Sequence, residues 1–189
     1  GGCSPCCACC LGRAEHGPLP DIHVLRRGGF RMKGPPRRRA PQAVLFMCGQ
    51  NSVRSPIAAA LLRQTGPRGL YVQSAGVRPG EPNPFAVAVM EEIGIDISGH
   101  QPWTVDELED WEGFNFDLII TLAPEAHHRA LEMTATLATD VEYWPTQDPV
   151  GTEGRRELQL DAYRSTRDEL MRKIRGRMAD ALADHVDEP

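Results

Sequence analysis

AVLFMCGQNSVRSPIA, residues 43–58, is the stretch of sequence that decides the fold. Its first part, Ala43–Met47, is a short continuous apolar run, which is typical of a parallel strand buried on both faces. Ser55-Pro56 places a preferred capping residue before a proline, the order that is favoured where a helix begins. We therefore predict a strand, a short polar loop and a helix.

The same alternation continues through the rest of the chain. Apolar runs predict further strands at 71–74, 116–122 and 141–144, and a helix is expected over 85–93. Apolar residues from Leu160 to Leu182 keep helical spacing and predict a long final helix. Strands that alternate with helices predict an α/β domain: a four-stranded parallel sheet, doubly wound in three layers, with helices on both faces.

The loop between the first strand and helix carries a cysteine, Cys48, five residues and an arginine, Arg54. Five residues allow the backbone N–H groups to surround a tetrahedral oxyanion, and the helix start adds its positive field. That field favours the thiolate, which is the nucleophilic form of Cys48. The planar guanidinium of Arg54 can bind two phosphate oxygens. The predicted phosphate-binding residues are Gly49, Gln50, Asn51, Ser52, Val53, Arg54 and Ser55.

The spacing alone is a weak signal, because Cys7 and Arg13 repeat it with no strand before them. On the motif alone, Cys48 is also compatible with a buried structural thiol and Arg54 with a surface charge. The preceding apolar strand and the following helix favour the phosphate-binding interpretation.

Hydrolysis of a phosphate ester also requires an acid that protonates the leaving oxygen. Asp148-Pro149 is the one Asp-Pro pair in the chain, and it follows the fourth predicted strand. In a parallel sheet, that loop lies at the same edge as the Cys48 loop. Asp-Pro is also an ordinary turn signal, so both interpretations of Asp148 remain open at this point.

The motifs CGQNSVRSPIA, Ser74-Ala75-Gly76, Gly99-His100 and Asp148-Pro149 resemble the low-molecular-weight protein tyrosine phosphatases over residues 42–185. Thioredoxin-linked arsenate reductases share that fold. The resemblance implies Cys48 as nucleophile, Arg54 as transition-state clamp and Asp148 as general acid and later base. It also implies residues that brace the loop and stabilise the thiolate: Asn51, Ser55, Ser74 and His100.

Several departures from the family pattern bear on activity. Gln50 stands at a usual glycine position, and Val53 replaces a cysteine that could protect Cys48 as a disulfide. Val150-Gly151 stands where phosphotyrosine enzymes often carry an aromatic pair, which puts tyrosine specificity in doubt. A three-cysteine arsenate reductase is excluded because residues 121–124 have no cysteine. A reductase that uses an external thiol and a catalytically silent phosphate-binding module remain alternatives.

Residues 1–41 differ in composition from the rest. They hold eight of the 21 Lys and Arg residues, two of the 26 Asp and Glu residues and five of the six cysteines. We expect a disordered tail, or upstream sequence translated from an earlier start with Met32 as the true one, followed by one domain over 42–189. Soft-metal binding or acylation of the cysteines are alternatives.

The acidic body argues against nucleic-acid binding, and no apolar run is long enough to span a membrane. We therefore expect a cytoplasmic enzyme that needs neither metal nor cofactor. It would hydrolyse a phosphate monoester, carried on a protein or a small molecule, through a phosphocysteine intermediate.

Overall fold

The computed structural model describes residues 41–135 and 137–183, so the predicted tail and its cysteine cluster lie outside the described residues. The elements, in chain order, are β1 (Ala43–Cys48), α1 (Arg54–Thr65), β2 (Tyr71–Gly76), α2 (Pro84–Glu91), α3 (Val105–Glu112), β3 (Leu118–Thr121), α4 (Pro124–Thr134), β4 (Asp140–Tyr143), a short 3₁₀ turn (Pro149–Gly151) and α5 (Arg156–Ala183).

The four strands form one parallel sheet in the order β2-β1-β3-β4. β1 is central, with Cys48 opposite Gly76 of β2 and Met47 opposite Thr121 of β3. The carboxyl ends of these strands therefore meet at one edge, from which the loop after β1 emerges. The predicted parallel α/β fold is confirmed.

Both faces of the sheet are covered by helices, and the alternate side chains of β1, which point to opposite faces, pack in two separate cores. Val44, Phe46 and Cys48 face a core built with α1, α2 and α5. Leu45 and Met47 face a second, smaller core built with α3 and α4. This sandwiching explains why β1 is apolar throughout. Among the described helices, none is both long and apolar enough to cross a membrane.

The sequence prediction missed two helices, α3 and α4, and made the third strand too long at both ends. The sequence does carry a signal for α3, a threonine at 104 followed three residues later by a glutamate at 107. In the structure, Thr104 Oγ1 accepts a bond from the Glu107 N–H, and the Glu107 carboxylate accepts one from the Thr104 N–H. Pro124 at the start of α4 was a second available signal. Short helices of mixed polarity give a weak apolar period, which is why periodicity did not detect them.

The segment after β2 packs directly against the loop that follows β1. A Cβ atom added to Gly76 would lie 2.8 Å from the Asn51 nitrogen and 2.8 Å from the Gln50 carbonyl carbon. One added to Gly80 would overlap the Gln50 main-chain oxygen. These contacts are with backbone, which cannot rotate away, so glycine is required for the two segments to touch.

Gly76→Ala is expected to lower the free energy of unfolding by about 1–3 kcal/mol, the usual cost of forcing a methyl group into a packed site. Urea denaturation would measure it. Gly99→Ala is the matched control, because a Cβ there meets nothing within 4 Å. Equal stability of the two variants would show that the β2 segment does not press on the loop.

Candidate active site

The loop after β1 turns back on itself at Asn51, which is fully buried and has a left-handed backbone with φ of 53°. Asparagine tolerates this conformation better than most residues. The turn directs the Asn51 N–H towards the Cys48 sulfur, at 3.3 Å. A backbone donor therefore faces the position where a thiolate would carry its charge.

Ser55 is not the helix cap that the sequence predicted. α1 begins two residues earlier than predicted, at Arg54 and not at Pro56. Val53 takes the cap position, and no side-chain cap bond is found there among the described residues. Ser55 lies inside the first turn, fully buried, with its Oγ 3.0 Å from the Cys48 Sγ. The single proton of the Ser55 hydroxyl reaches the Asn51 amide oxygen while Cys48 is a thiol, whose S–H can then donate to the Ser55 Oγ. Since a thiolate can only accept, that hydroxyl proton would turn to the sulfur when Cys48 is ionised.

Asn51 is held from several sides. Its amide nitrogen donates to the carbonyl oxygens of Ser74 at 3.1 Å and Trp103 at 3.4 Å. Its amide oxygen accepts from Ser55 at 2.9 Å, and its main-chain oxygen accepts from His100 Nε2 at 2.9 Å. Ser74 accepts this bond from Asn51 with its main-chain carbonyl oxygen, and not with its hydroxyl.

Arg54 lies against the loop that carries Asp148. Its Nη2 donates to Asp148 Oδ2 at 2.6 Å, and its Nη1 donates to the carbonyl oxygens of Thr146 at 3.1 Å and Leu122 at 3.4 Å. The guanidinium is nearly buried, whereas the Asp148 side chain is about half exposed at 47%. Arg54 is thus held at a fixed position while Asp148 reaches solvent.

Asp148 forms the turn that Asp-Pro predicts and also contacts Arg54. Its Oδ1 accepts from the Val150 N–H at 3.2 Å, which is the turn-forming bond expected of Asp-Pro, while its Oδ2 contacts Arg54. The turn therefore aims the second carboxylate oxygen at the guanidinium.

These residues share one small depression at the carboxyl edge of the sheet. Its lining comprises Cys48, Gln50, Ser52, Val53, Arg54, Asp148 and Val150. Asn51 and Ser55 lie beneath it, fully buried. Gln50 is exposed and has an ordinary backbone, so the loop accommodates a side chain at the position where the family usually has glycine.

Two charged residues beside the loop were missed by the sequence prediction. Arg78 donates its N–H to the Gly49 carbonyl at 2.9 Å, and the Glu125 carboxylate lies over Gly49, 2.8 Å from where a Cβ would be. Each follows a strand that ends at the site edge, β2 or β3, which was the available signal. Within the described residues, no group of three or more His, Cys, Asp or Glu side chains is arranged to hold a metal ion.

His100 is a neutral donor at the back of the loop. Burial, with a smaller effect from the positive charge of Arg63, lowers the pKa of His100 below its ordinary value of 6.5, although the bond to Asn51 acts in the opposite direction. The carbonyl of Asn51 can only accept, so Nε2 carries the proton.

This lowered pKa predicts an acid-dependent loss of stability. The unfolded chain takes up the proton near pH 6.5 while folded His100 resists it, so the full contribution is present above pH 6.5 and declines as the pH falls below it. His100→Gln should make the unfolding free energy depend less on pH below pH 6.5, because glutamine does not titrate. Urea titrations at stepped pH would measure this, with His128→Gln on the exposed side of α4 as control; an unchanged slope for His100→Gln would contradict it.

Residues 43–187 match the family described as low molecular weight phosphotyrosine protein phosphatase. The chain is 30% identical over 137 residues to the glutaredoxin arsenate reductase of Synechocystis sp., covering 72% of this chain and 95% of that protein. An arsenate reductase in the phosphate binding state superposes with a TM-score of 0.61 at 27% identity, covering 74% and 98% of the two chains. The YwlE arginine phosphatase from Geobacillus stearothermophilus gives 0.60 at 25% identity, covering 79% and 98%.

Proposed function

The chain belongs to the low molecular weight phosphotyrosine protein phosphatase family, and we propose that it is a cysteine-dependent phosphatase that hydrolyses phosphate monoesters through a phosphocysteine intermediate. The observation that carries the proposal is the shared depression, in which Cys48 with its Ser55 partner lies beside Arg54 with its Asp148 partner.

In the first step, the Cys48 thiolate attacks phosphorus, an S–P bond forms and the ester P–O bond breaks. The Ser55 hydroxyl and the Asn51 N–H hold the thiolate in place before attack. Arg54 binds the equatorial oxygens, where charge accumulates in the transition state. Asp148 gives its proton to the leaving oxygen, so the alcohol departs neutral.

The second step returns the enzyme to its starting state. Asp148, now a carboxylate, takes a proton from a water molecule that attacks the phosphocysteine. The S–P bond breaks, phosphate leaves and Cys48 is again a thiolate. Binding of phosphate by Arg54 competes with the Arg54–Asp148 contact, so substrate entry releases the carboxyl group for proton transfer.

The substrate is a phosphorylated protein or a small phosphomonoester. Val150, more than half exposed at 55%, lines the depression next to Asp148. A valine gives an aromatic leaving group less stacking surface than an aromatic pair would, which favours substrates beyond phosphotyrosine.

A reductase that uses an external thiol is the second candidate, because one curated relative is a glutaredoxin arsenate reductase. Cys48 is the single cysteine within residues 43–187, so no second thiol of that segment can complete the reaction. Arsenate would condense with Cys48, with loss of water. An external thiol would then attack sulfur, releasing arsenite: arsenic gains two electrons, and the two sulfurs lose them as a mixed disulfide. A second external thiol would reduce that disulfide.

Cys48→Ser is expected to abolish hydrolysis of p-nitrophenyl phosphate, because serine is not ionised in this site, while wild type stays active with a metal chelator present. Release of p-nitrophenol measures the rate. A parallel assay supplies arsenate, glutathione and glutaredoxin. Arsenite formation without phosphatase activity would favour the reductase, and phosphate binding without either turnover would favour a silent module. Loss of wild-type hydrolysis in chelator would contradict a metal-free mechanism.

Asp148→Asn should lower kcat/KM, which reports formation of the phosphocysteine, by about 10²-fold or more for phenyl phosphate, whose leaving oxygen needs a proton. The loss should be far smaller for 2,4-dinitrophenyl phosphate, whose leaving oxygen does not. Pre-steady-state bursts with both esters would separate this effect from the hydrolysis step. Asp140→Asn, at the opposite edge of the sheet, is the matched control. Equal losses with the two esters would argue against Asp148 as the acid.

A further inference from the structure

The rim of the depression carries a charge pair that the reaction above does not use. Glu125 Oε1 lies 3.7 Å from an Arg78 guanidinium nitrogen, and both lie beside Gly49. A Cβ on Gly49 would be 2.8 Å from Glu125 Oε1 and 3.8 Å from an Arg54 guanidinium nitrogen. The absence of a side chain at Gly49 therefore leaves the space that the Glu125 carboxylate occupies, close to the phosphate clamp.

Both members of the pair are placed by main-chain structure. The N–H groups of Val77 and Arg78 donate to the Gly49 carbonyl at 3.0 and 2.9 Å. Glu125 lies in the first turn of α4, where the helix field favours a carboxylate. Their side chains are 67% and 42% exposed, so they face the solvent from which a substrate arrives.

A carboxylate at this position opposes the proposed chemistry unless the substrate compensates for it. The depression has to admit a doubly charged phosphate, and Asp148 already places one acid there. Glu125 adds a second acid on the Gly49 side, which Arg78 offsets from one direction only. Such a charge weakens the binding of substrates that carry anionic groups next to the phosphate, and it strengthens the binding of those with cationic groups there.

We propose that Glu125, moderated by Arg78, selects phosphorylated protein segments in which Lys or Arg flanks the phosphorylated residue. The proposal rests on the phosphatase function given above and names its substrate class. A basic flanking side chain would pair with Glu125, while the phosphate lies on Arg54. An acidic flank would meet Glu125 with like charge.

The test uses two phosphotyrosine peptides of equal length, one with Lys and Arg flanks and one with Glu flanks, and compares their kcat/KM values in the full chain. Wild type should prefer the basic peptide. Glu125→Gln should reduce the ratio by about two- to fivefold, the effect of one exposed ion pair. Arg78→Ala should increase it, because Glu125 then loses its neighbouring cation. Raising the salt concentration should bring the ratio of each protein closer to one, because salt screens interactions between exposed charges.

Glu132→Gln, two turns along α4 and 72% exposed, removes the same charge away from the loop and should leave the ratio unchanged. A difference between variants in the fraction of folded protein does not affect the comparison, because both kcat/KM values of a ratio are measured with the same protein. Wild-type turnover of p-nitrophenyl phosphate would overturn the selectivity role alone if neither peptide is hydrolysed, or if neither variant shifts the peptide ratio. Lack of turnover on every ester would overturn the phosphatase function instead.

Discussion

The arrangement of the site depends on the buried side chain of Asn51. Its left-handed backbone reverses the loop, its amide nitrogen bonds carbonyls from two other segments, and its amide oxygen meets Ser55. A buried amide that lost these partners would incur the full desolvation cost of its polar atoms. The loop therefore has one stable conformation, in which the Asn51 N–H and the Ser55 hydroxyl are both within reach of the Cys48 sulfur.

The same constraint connects the site to the two faces of the sheet. β2 supplies the Ser74 carbonyl and the segment before α3 supplies the Trp103 carbonyl, which both accept from the Asn51 amide. His100 donates to the main-chain oxygen of Asn51. Gly76 and Gly80 allow these segments to approach the loop backbone. The charged residues are arranged around this fixed loop: Arg54 is held by carbonyl oxygens, while the acids at the rim remain exposed and free to respond to substrate.

Much of this was predictable from local sequence, and the failures have identifiable causes. The strand and helix flanking Cys48 have strong signatures, apolar for β1 and Pro-containing for α1. Ser55 was misjudged because Ser-Pro is a good cap in isolation, whereas here the helix begins at Arg54 and the hydroxyl faces sulfur. α3 and α4 were missed because their apolar faces are narrow, with two buried residues each.

By itself, the sequence determined the parallel α/β fold, the loop with Cys48 and Arg54, and the edge of the sheet at which Asp148 would lie. These follow from periodicity and from the rule that loops after parallel strands share one edge. Only the tertiary structure decided that Asp148 contacts Arg54, that His100 and Trp103 support Asn51, and that Glu125 and Arg78 flank Gly49. Such contacts join residues far apart in the chain, and their geometry is set by how helices pack on the sheet, which local patterns do not encode.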